Sequence, residues 1–115
     1  MEHGLNERDI ENIIMASEEF SEIEEVLLFG SRAKRTHKKA SDVDLAIKGI
    51  NISDRTIKRF SSKLNEELPL PYFIDVIHYE TIKSTELTDH INRVGKKIYT
   101  RNKSSINSVF SDKNI

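Results

Sequence analysis

Three short apolar runs constrain the fold of this chain most. Val26-Leu27-Leu28-Phe29, Val43 to Ile47 and Tyr72 to Ile77 are each too short for a helix. Runs of that length predict buried strands. Gly30 stops the first, and the third is rich in aromatic and β-branched residues. The sequence between them has a different period. Ile10, Ile13, Ile14 and Phe20 recur at helical spacing among acids, which predicts an amphipathic helix from Asn6 to Phe20. Ser53 caps a second helix carrying Ile57, Phe60 and Leu64, and Pro69 and Pro71 forbid its continuation. Leu87, Ile91 and Val94 mark a further helical face with Gly95 as its stop. Ser31 to Lys39 reads as a short helix plus loop, and Lys97 to Thr100 as a short strand. The alternation predicts an α/β (α+β) fold, a single mixed β-sheet of three to four strands with helices packed on it.

The 115 residues suffice for one core and not for two. The expected division is one domain over 1–100 and a polar tail over 101–115, flexible unless Val109 and Phe110 fold against a partner. No apolar run approaches a membrane span, and Met1-Glu2-His3-Gly4 is no signal-peptide start. Absence of cysteine removes disulfides and thiolate metal sites, so a cytoplasmic location is the default expectation. Net charge is −1, but residues 1–25 carry nine acids and one base. That acidic helix reads as a solvated face or as a docking face. Direct nucleic-acid binding is not indicated by this charge balance.

Asp42 and Asp44 bracket Val43. On a strand both carboxylates share one face, while Val43, Leu45 and Ile47 share the other. Like charges so close repel, and a cation or a shared proton relieves them. Asp is also a poor strand former. A lone Asp-x-Asp, however, often marks only a turn or a strand entry. Asp75 interrupts a run apolar on both parities, so its strand is expected to be buried on both faces. An unpaired buried carboxylate costs several kcal/mol or protonates. Taken alone, Asp75 reads equally as a partner for an Arg or a cap on a backbone group. Beside the acid pair, it favours a shared site of three carboxylates. Such hard oxygen donors suit magnesium or manganese. Two magnesium ions about 4 Å apart would clamp the entering and leaving oxygens of a phosphoryl or nucleotidyl transfer.

Gly30-Ser31 follows the first strand directly. The glycine permits a tight turn, and the Ser hydroxyl with exposed N–H groups can hold phosphate oxygens. Taken by itself this is more simply a strand-to-helix turn with Ser31 as its cap. Arg32 stands nearest the expected phosphate within a basic stretch running to Lys39. The spacing of a P-loop is absent. His3, His37, His78 and His90 share no metal-ligand spacing.

Gly30-Ser31-Arg32-Ala33, then Ser41-Asp42-Val43-Asp44-Leu45, then Asp75 within an apolar strand, together resemble the minimal nucleotidyltransferase family of the DNA polymerase β-like superfamily. Ile91-Asn92-Arg93-Val94-Gly95-Lys96-Lys97-Ile98-Tyr99 resembles that family's closing helix, glycine and strand. The resemblance runs from about residue 6 to 100. It implies the nucleotidyltransferase (polymerase β-like palm) fold, with ATP or another nucleoside triphosphate as donor and pyrophosphate as leaving group. Asp42 and Asp44 would bind both magnesium ions, and Asp75 would complete one shell and help deprotonate the acceptor hydroxyl. Gly30, Ser31 and Arg32 would hold the nucleotide's phosphates. Arg35 departs from the family's usual glycine, where a left-handed turn is harder for Arg.

Larger members of that superfamily carry an added domain for the acceptor, whereas here the sheet is expected to consume nearly the whole chain. The resemblance therefore implies an acceptor presented by another molecule. For minimal members this is typically a HEPN-domain RNase toxin, whose tyrosine receives AMP from its antitoxin. Two alternatives stay open: an antitoxin acting by direct binding without catalysis, and a transferase for a small molecule such as an aminoglycoside, built as a homo-oligomer.

Overall fold

The computed structural model describes residues 5–29, 43–70 and 72–101. Helix α1 (Glu7–Glu18) begins where the chain supplies its own cap. The Asn6 side chain accepts from the Asp9 amide at 2.8 Å, and Asp9 accepts from the Asn6 amide at 3.3 Å. Strands β1 (Glu25–Phe29) and β2 (Val43–Lys48) follow. The helix and loop predicted over Ser31 to Lys39 lie outside the described residues. Helix α2 (Asp54–Ser62) opens on Ser53, which forms a second capping box with Thr56. It passes into a π-helical turn (Lys63–Glu67) that ends at Leu68, just before Pro69. Strand β3 (Ile74–His78), a short 3-10 turn, helix α3 (Thr85–Val94) and strand β4 (Lys96–Thr100) complete the fold.

The strands form one mixed sheet in the order β3-β2-β1-β4. β1 pairs antiparallel with β2 and with β4, whereas β2 and β3 are parallel, a relation that requires the crossover through α2. Val26, Leu28, Val43, Leu45, Ile47 and Ile74 point to one face, which α1, α2 and the π turn cover. Phe60 and Leu64 are fully buried there. Each side chain of that size contributes about 1.5–3 kcal/mol. Helix α3 covers the other face through Ile91, against Phe29 and Ala46.

Two expectations change in detail. The third strand starts at Ile74 rather than Tyr72, because Tyr72 turns its hydroxyl onto Asp9 of α1 at 3.1 Å. It is also an edge strand, buried at Ile74 and His78 but exposed at Asp75, so it is not buried on both faces. Gly95 ends α3 with extended backbone instead of a left-handed turn. A Cβ there would stand 2.5 Å from the Ile91 carbonyl oxygen, so close approach is what requires glycine. Arg101, the first residue assigned to the tail, donates to the Ile23 and Phe20 carbonyls at 3.2 and 3.0 Å. No helix among the described residues is long and apolar enough to cross a membrane.

Candidate active site

Alternation along the strands sorts their residues into two sets. Asp44, Ala46 and Lys48 occupy the parity opposite to Val43, Leu45 and Ile47, and so they face α3. In the parallel pairing of β2 with β3, Asp44 lies directly opposite Asp75, and Ala46 opposite Ile77. On the other flank Phe29, the last residue of β1, lies opposite Asp44. The two acids thus share one row of the sheet. They stand on adjacent strands about 4.8 Å apart, near the starts of β2 and β3 and at the end of β1.

Helix α3 backs the neighbouring row. Ile91 packs against Ala46 and Phe29, with Ile77, Ile82 and Leu87 around them. His90 meets the Phe29 ring edge-on, with centroids 6.3 Å apart. The acids lie at the margin of this cover, Asp44 half-buried and Asp75 exposed. Carboxylate oxygens at such a margin can be reached by a cation that retains part of its hydration.

Asp42, Gly30, Ser31 and Arg32, the other expected site residues, lie outside the described residues. Among the described residues no group of three potential metal ligands is assembled. Asp42 precedes Asp44 by two positions, the spacing that returns a strand side chain to the same face. The oxygen donors on this face fit a hard divalent cation such as magnesium.

The remaining histidine on β3 is structural. The Nε2 of His78 lies 2.9 Å from the Gly49 carbonyl and 3.2 Å from Glu80, whose carboxylate also accepts from the Gly49 amide at 3.1 Å. Two residues beside the acids were not singled out from the sequence. Phe73 is 59% exposed and precedes Asp75 by two positions, on the same parity. Asn65 bonds the backbone of Ile74, the residue before Asp75. An aromatic at a strand entry was a signal for the first, but nothing local announces the second.

Comparison with solved structures finds the same fold in toxin–antitoxin complexes. One similar chain comes from a toxin–antitoxin complex with AMP-PNP, at 21% identity and a TM-score of 0.66 over 89% of this chain and 79% of that one. Another comes from the MntA–HepT toxin–antitoxin complex, at 18% identity and a TM-score of 0.65 over 94% and 82%. A third comes from a complex of tri-AMPylated Shewanella oneidensis HEPN toxin with MNT antitoxin, at 17% identity and 0.65 over 89% and 78%. No curated protein sequence matches significantly. The family model described as polymerase beta, nucleotidyltransferase matches residues 11–104, which include both acids, all four strands and α3. On that match the chain belongs to the polymerase β nucleotidyltransferase family.

Proposed function

We propose that this chain transfers AMP from ATP to a hydroxyl group on a partner protein, and that it acts as the antitoxin of a HEPN-domain toxin. The observation that carries the reading is the register of Asp44 with Asp75 on the sheet face that, among the described residues, α3 covers. Acids at paired positions on neighbouring strands can share a cation, and nucleotidyl transfer is a reaction that uses one. The family match supports the reaction class. The AMP-PNP in one similar complex and the AMPylated toxin in another support the donor and the acceptor.

Asp42, Asp44 and Asp75 are the proposed ligands of magnesium, with Asp42 and Asp44 taking part in both ion sites. Bound there, magnesium supplies positive charge against the triphosphate and the carboxylates. Gly30, Ser31 and Arg32 hold the phosphates. The acceptor oxygen attacks the α-phosphorus, the bond from that phosphorus to the β-phosphate oxygen breaks, and pyrophosphate leaves. The Asp75 carboxylate takes the hydroxyl proton. Its exposure on the edge strand leaves room for an acceptor arriving from outside the chain.

The test is incubation of the chain with α-labelled ATP, magnesium and a HEPN-domain toxin as acceptor. Label on a tyrosine of that protein, lost with Asp44→Asn, is the expected result. If no label appears and the Asp42→Asn/Asp44→Asn double variant still neutralises the toxin, the chain works by contact instead. Turnover of nucleotide on an aminoglycoside without any protein partner would move the acceptor to a small molecule.

A further inference from the structure

The outer edge of β3 faces away from β2, and its backbone groups must find partners elsewhere. At Ile74 a single side chain takes both. The Asn65 Oδ1 accepts from the Ile74 amide at 2.7 Å, and the Asn65 Nδ2 donates to the Ile74 carbonyl at 2.9 Å. An N–H and a C=O as partners fix which end of the amide is which, and the same Nδ2 also donates to the Ser61 hydroxyl at 3.2 Å. This is the two-bond pattern a neighbouring strand would make, supplied by one residue. On the inner edge β2 holds the preceding residue, with the Val43 amide donating to the Phe73 carbonyl at 2.9 Å. The chain is therefore gripped from both sides immediately before Asp75.

Asn65 is not placed there by an ordinary helix. It lies in the π-helical turn, closed by the Leu68 amide on the Lys63 carbonyl at 3.2 Å. Such turns are rare and recur at functional sites. Asn is also a weak helix former that prefers to bond nearby backbone. We infer that Asn65 is a positioning residue for Asp75: its paired bonds to Ile74 set the backbone from which that carboxylate is aimed at Asp44. The inference rests on the proposed role of Asp75. Catalytic groups must be held to about 0.5 Å, and a displacement of about 1 Å can cost roughly 100-fold in rate. A plain edge plug would give stability and nothing more.

The experiment compares Asn65→Ala, which removes both bonds, with Asn65→Asp, which keeps the acceptor and loses the donor. Transfer from ATP to the partner protein is measured against magnesium concentration, well below each variant's melting temperature. Magnesium binding in the presence of AMP-PNP is measured separately by calorimetry. For Asn65→Ala the expected result is a kcat about 10- to 100-fold lower with KM for ATP within about twofold. The magnesium Kd should rise severalfold, and Asn65→Asp should fall between Asn65→Ala and wild type. Unchanged kcat and unchanged magnesium affinity, with only Tm reduced, overturn the inference. If Asn65→Ala does not fold, Asn65→Asp decides alone by the same two readouts. Asp75→Asn separates the levels. Full transfer by that variant sinks both this inference and the proposed role of Asp75. A dead Asp75→Asn beside wild-type Asn65 variants sinks this inference only.

Discussion

The two faces of the sheet are made by the same strands and differ by one residue of parity. On the closed face Val43, Leu45, Ile47, Val26, Leu28 and Ile74 are all buried beneath α1, α2 and the π turn. On the open face the matching positions of β2 and β3 begin with Asp44 and Asp75, and among the described residues α3 stands beside them. The closed face uses its volume for burial. The other face gives up burial at these positions for two polar side chains, while the closed face carries the apolar burial of the fold. Consecutive residues of β2 should therefore fail in opposite ways.

Asp44→Asn is the largest expected effect. Transfer should drop by about 10³-fold or more, because a ligand charge is lost while the shape is kept. Tm should change far less than in the core variant that follows, since the side chain keeps its volume. Leu45→Ala, one residue further along, should cost about 2–5 kcal/mol and lower Tm by on the order of 10 °C. Its kcat, measured while the protein is still folded, should change little. Thermal melts beside a transfer assay check both. A large activity loss in Leu45→Ala, or a large stability loss in Asp44→Asn, would show that the faces are not separable.

Helix α3 lies between these extremes. Ile91 is buried and packs α3 against Phe29 and Ala46, in a cluster smaller than the one across the sheet. Ile91→Ala should cost about 2–3 kcal/mol, toward the low end for such a truncation. Because Phe29 is the cross-strand partner of Asp44, this variant should also lose a few-fold in kcat, unlike Leu45→Ala. Denaturant unfolding and the transfer assay together give the comparison. Stability loss without any change in kcat would place α3 with the closed face in function as well as in packing.

What the sequence made legible follows the range of each interaction. The cap at Ser53 was readable because it acts on its own first turn, with Thr56 three residues away. Strand parity, a local rule, separated Asp44 from Val43 and Leu45, whereas its alignment with Asp75 depends on the pairing of β2 with β3. The burial of Asp75 was misjudged, since apolar residues on both parities look alike in a central strand and in an edge strand. Only the strand order, a non-local outcome, separates the two. Asn65 was invisible for a related reason: its partner Ile74 lies across two prolines and a change of direction. Gly30, Ser31, Arg32 and Asp42 belong to the segment outside the described residues, and their roles stand on the family resemblance and the proposed chemistry.

The smallest expected effect tests how the rim of the closed face is held. Thr56 is buried at the start of α2 and donates to the Glu22 carboxylate, just before β1, at 2.6 Å. That hydroxyl is the largest cause holding the Glu22 carboxyl below its ordinary 4.5, aided by the residue's own backbone amide, Arg59 and Arg101, and opposed by desolvation. A carboxyl depressed in the folded state stabilises the fold fully above its unfolded value. That contribution is lost as pH falls through the folded one. Thr56→Val keeps the shape and removes the hydroxyl, so at neutral pH it should cost about 1–2 kcal/mol. Its deficit relative to wild type should then shrink as pH drops below the ordinary 4.5, because protonation removes from wild type the same bond that the substitution removed. Denaturant unfolding of both proteins across that range is the measurement. A deficit independent of pH would mean that Thr56 acts only through its cap on α2, and that the Glu22 link contributes nothing to closing this face.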